Sequence, residues 1–214
     1  PRTVKTAPIE PFRGFNHMKM HVIAALLAAA VPIAGCATTT GGATTAGSTQ
    51  AYAAAQSEIA RLTAQANQNV LLRPWSGPHG GVPPWDHADP ALVGPAFEIG
   101  VALQEAEYQA IANNPAAPTF ANTIEAMQNA GRHLDRAGTI FAVMTDNVSN
   151  EAVQAVEAEW SPRLTAAGNA ITFNRPLFQR VDALFQQRAT LNLRPDQLRL
   201  LERTHAGFVR AGAA

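Results

Sequence analysis

Large apolar residues recur along the second half of the chain at helical steps. From Phe120 they fall at Ile124, Met127, Leu134, Phe141, Met144 and Val148, which keeps one side of a helix apolar. A second set is Val153, Val156, Trp160, Leu164, Ala167 and Ile171. A third is Leu177, Val181 and Leu184, with Phe178 and Phe185 beside it, and a fourth is Leu198, Leu201, His205 and Phe208. No stretch combines sustained period-two alternation with β-branched residues, so strands are not expected. The pattern predicts an all-α fold.

Turn-forming residues separate the stripes. Asp89-Pro90 opens a helix that the run Asn113-Asn114-Pro115-Ala116-Ala117-Pro118 ends, and Thr119 then offers an N-cap. Asn174 before Arg175-Pro176, and Arg194-Pro195-Asp196, place proline in a first helical turn, where its missing donor costs nothing. Pro162 falls inside the second stripe and predicts a kink or break beside Ser161. Ala51 to Ala66 reads as a loosely packed helix, because only Ile59 and Leu62 supply large aliphatic groups. No internal repeat is evident.

The first 50 residues follow another pattern. Met18-Lys19-Met20 is a short basic start, and the apolar run from Val22 to Ala34 has about 13 residues. That is the length of a signal-peptide core and short of the roughly 20 residues of a membrane-spanning helix. Ile33-Ala34-Gly35-Cys36 resembles the lipobox of bacterial lipoproteins, which implies lipidation at Cys36. Cys36 is the single cysteine, so no internal disulfide can form, and lipidation would remove a free thiol from an oxidising compartment. Residues 37–50 are almost all Thr, Gly, Ala and Ser, a tether with an r.m.s. reach of about 20 Å. The expected organisation is upstream translation at 1–17, a lipoprotein signal peptide at 18–35, the lipidated cysteine and linker at 36–50, and a helical body at 51–214. The expected location is the cell envelope, with a membrane-anchored protein facing the periplasm. Ala37 after the cysteine hints at the outer membrane.

Formal charge over the whole chain is zero, but residues 51–214 carry 12 basic and 15 acidic side chains. A mildly acidic body argues against a nucleic-acid partner, which would require a clustered basic face. With 47% hydrophobic residues the body can bury a core.

Candidate chemistry is sparse. The segment "LLRPWSGPHGGVPPWDHADP" at 71–90 reads as an ordered loop anchored by burial of Trp75 and Trp85. It lacks the Gly-Lys-Ser/Thr ending of a phosphate-binding loop. His79 and His87 stand near Asp86 and Asp89, but their spacing matches no familiar metal-ligand pattern, so a solvated or hydrogen-bonded pair is the reading. His133, among Arg132, Asp135 and Arg136, belongs to a solvated face with local ion pairs. His205 lies on an apolar stripe and reads as a core histidine satisfied by one hydrogen bond. Ser76 lacks the context of a nucleophile elbow. No catalytic residue and no metal ligand is assigned in this chain.

The stretch "NNPAAPTFANTIEAMQNAGRHLDRAGTIFAVM" at 113–144 resembles the N-terminal helical region of the thimet-oligopeptidase family of zinc metallopeptidases, most closely its bacterial peptidyl-dipeptidase branch. Similar pieces follow the same order: "GGVPPWD" at 80–86, "PALVGPAFEIG" at 90–100, "SNEAVQAVEAEWSPRL" at 149–164, "RPLFQRVDALFQQR" at 175–188 and "RLLERTHAGFVRAGA" at 199–213. The resemblance covers about 140 residues, and no single piece is a catalytic signature. Two departures weaken helix starts: Ala121, where an acidic or amide residue is usual, and Arg194, where a Ser, Thr or Asp cap is usual.

The resemblance implies a multi-helix region that helps wall a deep channel admitting short peptides. It implies a catalytic zinc held by a His-Glu-x-x-His helix and a downstream glutamate, all beyond position 214. The loop bearing Trp75, His79 and Trp85 is then a candidate rim element. The chain alone is expected to be inactive and to expose an apolar patch. Two other classes compete with this peptidase reading: a non-enzymatic helical lipoprotein acting as a binding module, and a relative without the metal site. The sequence leaves open the substrate, the oligomeric state, and the choice between dipeptide release and internal cleavage.

Overall fold

The computed structural model describes residues 42–78 and 81–213. Among them are seven α-helices and no strand: α1 Gly42–Gln68, α2 Pro90–Ala112, α3 Ala126–Asn129, α4 Arg132–Asn147, α5 Glu151–Thr172, α6 Arg175–Gln186 and α7 Pro195–Ala211. A 3-10 turn at Trp85–His87 precedes α2, and a π-helical turn at Phe120–Glu125 leads into α3. The all-α expectation holds.

Helix α2 organises the rest. Its sequence is apolar on more than one side, as suits a helix covered from several directions. It packs against α1, α4, α5 and α6. Its first three-quarters contribute Val93, Ala96, Phe97, Leu103 and Ala106 to a core shared with Leu62 and Ala66 of α1, Ile140 and Met144 of α4, and Val153 and Trp160 of α5. Its last turn contributes Ile111 and Ala112 to a second core with Ile124, Leu177, Val181, Leu184, Leu201 and Phe208.

The helix starts follow from local chemistry. The Asp89 carboxylate accepts the Ala91 N–H at 2.9 Å, with Pro90 in the first helical position. Asn150 and Asn174 accept the N–H of Val153 and Leu177, each at 3.0 Å. Thr119 Oγ1 accepts the Asn122 N–H at 3.1 Å while Asn122 Oδ1 accepts the Thr119 N–H at 2.8 Å, a reciprocal pair that satisfies two otherwise orphaned donors. Arg194 can only donate, so α7 starts on half of such a pair: Gln197 Oε1 accepts the Arg194 N–H at 3.1 Å.

Several expectations are corrected. The stripe from Phe120 to Val148 is not one helix, because the chain turns at Ala130 and Gly131 between α3 and α4. Gly131 has φ +83°, a left-handed conformation that strains any residue bearing a Cβ, and a Cβ there would also have to displace the Gln104 amide, so glycine is favoured. Of the kink or break expected beside Ser161 the break is absent, since helix α5 runs from Glu151 to Thr172 through Pro162. Pro162 is exposed, so the Ala158 carbonyl it leaves unpaired sits on the solvent side of the helix. Helix α1 begins at Gly42 and takes in residues 42–50, which composition marks as linker. It is not loosely packed either, since Ala55, Leu62 and Ala66 are buried and their small or compact side chains permit an extensive contact with α2. Exposed apolar side chains such as Val148 and Phe173, 60% and 57% exposed, cap the ends of α4 and α5.

Candidate functional site

The loop joining α1 to α2 is fixed at both ends. Asn69 stops α1, its Oδ1 accepting the Leu71 N–H at 2.9 Å, and Leu71 and Leu72 are fully buried. Arg136 of α4 donates to the Leu72 carbonyl at 2.8 Å. Beyond Pro74 the chain forms a narrow neck, where the Val82 N–H donates to the Ser76 carbonyl at 3.1 Å. Gly81 closes it at φ +107°, and a Cβ would come within 2.7 Å of the Trp75 carbonyl oxygen. At the far end Asp89 is committed to capping α2.

The two tryptophans are not equivalent, which corrects the expectation that both are buried. Trp75 is half-buried under the neck, and its indole N–H is enclosed without a partner among the described residues. Trp85 stays 45% exposed because it opens a 3-10 turn that has no buried residue. His79 lies outside the described residues, as does Cys36. The His87 Nε2 and Asp86 Oδ2 stand 3.3 Å apart on the surface. An open cleft of about 490 Å³ lies beneath, lined by Val70, Arg73, Asp86, His87, Asp89 and Leu92 among others. Its mixed polar and apolar lining can take hydrogen-bonding groups flanked by aliphatic ones. It holds no nucleophile with an adjacent base. Among the described residues no three His, Cys, Asp or Glu side chains are grouped as metal ligands require.

Other polar side chains hold the scaffold. Arg180, 8% exposed, donates to the carbonyls of Asn114 and Ala116 at 2.8 and 3.0 Å and to Asn122 Oδ1 at 2.9 Å. Burial lowers the pKa of this guanidinium, and no carboxylate among the described residues pairs with it. His205 behaves as expected: its Nε2 meets Asp182 Oδ1 at 2.9 Å and its ring stacks on Phe185 at 3.8 Å. His133 does not, because its Nδ1 is buried without a partner among the described residues. Burial first, then the charge of Arg136, hold its pKa below the ordinary 6.5. The stability this contributes is complete above pH 6.5 and is lost as the pH falls through the folded value.

Glu107 has the opposite sign. Its Oε2 accepts the Gly131 N–H at 2.6 Å in a half-buried setting. Burial pushes the carboxyl up from the ordinary 4.5, the Gly131 bond pulls it partly back, and the charge of Asp135 adds to the rise. A raised folded pKa gives stability that is complete below pH 4.5 and lost as the pH rises through the folded value. Glu107→Gln keeps an acceptor for Gly131 and removes the ionisation. The variant should therefore melt above the parent at neutral pH, and the gap should close as the pH drops below about 4.5. Thermal melts across pH test this; a gap independent of pH would contradict it.

No protein-family model matches the chain. Over 119 residues, 56% of its length, it is 43% identical to the dipeptidyl carboxypeptidase of Salmonella typhimurium. Over 119 residues it is 41% identical to the dipeptidyl carboxypeptidase of Escherichia coli. In both comparisons the matched stretch spans 18% of the relative's length. The chain is thus related, over about half its length, to a minor portion of bacterial dipeptidyl carboxypeptidases.

Proposed function

We propose that this chain is the helical, substrate-admitting portion of a zinc-dependent peptidase that releases C-terminal dipeptides from short peptides. The observation that carries the reading is the 43% identity over 119 residues to a dipeptidyl carboxypeptidase. The described residues do not fit zinc, having no grouped set of ligands, so the metal on this reading is held by other parts of the protein. The helices serve to position and exclude. The α1–α2 loop, pinned by Leu71, Leu72, Arg136 and the Gly81 neck, supplies a stiff rim element with Trp85 facing outward. A rim made this way limits which peptides enter without touching the scissile bond.

Two measurements test this reading. The 214-residue chain by itself should not hydrolyse peptides; turnover by the chain alone would overturn it. In the product of the complete reading frame, deletion of residues 76–84 should relax the preference for short peptides, measured as kcat/KM across a length series. An unchanged length profile would remove the rim role.

The lipobox-like Ile33-Ala34-Gly35-Cys36 supports a second part of the proposal, that the protein is lipid-anchored in the cell envelope and faces the periplasm. Cys36→Ala should move it from the membrane to the soluble fraction of fractionated cells. An unchanged distribution would refute the anchor.

A further inference from the structure

Charge is unevenly divided along the chain. Residues 51–174 carry five basic and 12 acidic side chains, whereas residues 175–214 carry seven basic and three acidic ones. Much of the basic excess lines one open cleft of about 670 Å³ at the junction of α6 and α7. Its walls bear Arg188, Arg199, Arg203 and Arg210, one carboxylate from Glu202, and the rings of Phe185 and His205. Positions 199, 203 and 210 recur at helical spacing, so α7 presents them along one side.

The cleft is partly preorganised. Arg188 donates to the Phe185 carbonyl at 2.7 Å, and its guanidinium lies over the Phe185 ring at 4.0 Å. His205 stacks on the same ring with an interplanar angle of 3° and is tied to Asp182. Other arginines are far less committed. Arg199 only grazes Glu202 at 4.0 Å, and Arg203 and Arg210, both exposed, have no carboxylate within ion-pair distance among the described residues. Four like charges gathered in one concave site focus a positive potential that an anion would relieve.

We propose that this cleft docks a short acidic segment of a partner polypeptide, its aspartate or glutamate carboxylates engaging Arg203 and Arg210 beside the fixed Arg188. The planar guanidinium fork matches a carboxylate in two-point contact. A long polyanion such as nucleic acid would run from the cleft onto the acidic remainder of the body, whereas a short segment stays within the basic region. This inference does not depend on the peptidase reading, since it uses only side chains of α6, α7 and the segment between them.

The test is fluorescence anisotropy with the 214-residue chain and a labelled Asp/Glu octapeptide, beside its Asn/Gln counterpart, at about 20 mM and about 200 mM salt. The acidic peptide should bind about tenfold or more tightly than the amide peptide, and the higher salt should weaken it. The double variant Arg203→Gln, Arg210→Gln should bind it about tenfold less well with an unchanged circular dichroism spectrum, while Arg61→Gln, outside the cleft, should bind as the parent does. Equal binding of the two peptides, or no loss in the double variant, would overturn the proposal. Tighter binding of an oligonucleotide of equal charge would overturn it in favour of a phosphate site. Self-association abolished by the double variant, without peptide binding, would replace the partner by a second copy of the chain.

Discussion

Replacing Phe97 by alanine should lower the stability of the chain by about 3–5 kcal/mol. Phe97 is 1% exposed and sits where three helices meet. Its ring lies 5.4 Å from Phe141 of α4 in an edge-to-face arrangement and 5.4 Å from Trp160 of α5. Aromatic pairs of this kind add about 0.5–1.5 kcal/mol beyond the area they bury. Truncation removes both contacts and leaves a cavity between helices that also meet elsewhere, so only partial collapse is available. Phe173→Ala is the comparison, since Phe173 is 57% exposed and should cost little. Urea unfolding of both variants decides the matter; a Phe97→Ala loss near that of Phe173→Ala would mean that this aromatic junction is not the centre of the fold.

Arg180→Met should cost about 2 kcal/mol and loosen the segment 113–122. Two effects compete. Removing a buried cation that has, among the described residues, neither a carboxylate partner nor an acceptor at Nε relieves desolvation. Against that, the carbonyls of Asn114 and Ala116 and the side chain of Asn122 each lose a charge-assisted donor. Three lost bonds at one loop outweigh the relief, and Asn122 also holds the Thr119 cap. Arg180→Lys should recover only part of the loss, because one ammonium cannot reproduce the two-nitrogen fork. Hydrogen exchange should be faster at the Thr119 and Asn122 amides in Arg180→Met. Unchanged stability with unchanged exchange would contradict the clamp.

These two residues also show what sequence reading reached. Helices α5, α6 and α7 were legible because their apolar residues keep helical phase, and Asn174 and Pro195 mark the starts of α6 and α7. The Thr119 cap and the single hydrogen bond of His205 were legible for similar local reasons. The burial of Arg180 has a sequence signal too, since it is in phase with Leu177, Val181 and Leu184, and a charge on a core stripe signals a buried acceptor set. Gly131 was hidden inside an apparently continuous stripe, since helical phase survives a short break. The exposure of Trp85 and the partial burial of His133 and Glu107 depend on contacts between distant segments, which periodicity does not encode. The unequal charge of the two parts of the body was readable from composition, but only by dividing the body at Arg175.

We proposed above that this helical body belongs to an enzyme cutting dipeptides from peptide C-termini. Mass spectrometry of the products formed from an N-blocked peptide by the product of the complete reading frame tests it most directly. Stepwise loss of C-terminal dipeptides, stopped by a chelator and restored by zinc, is the predicted result; single residues, internal fragments or an intact peptide would contradict it.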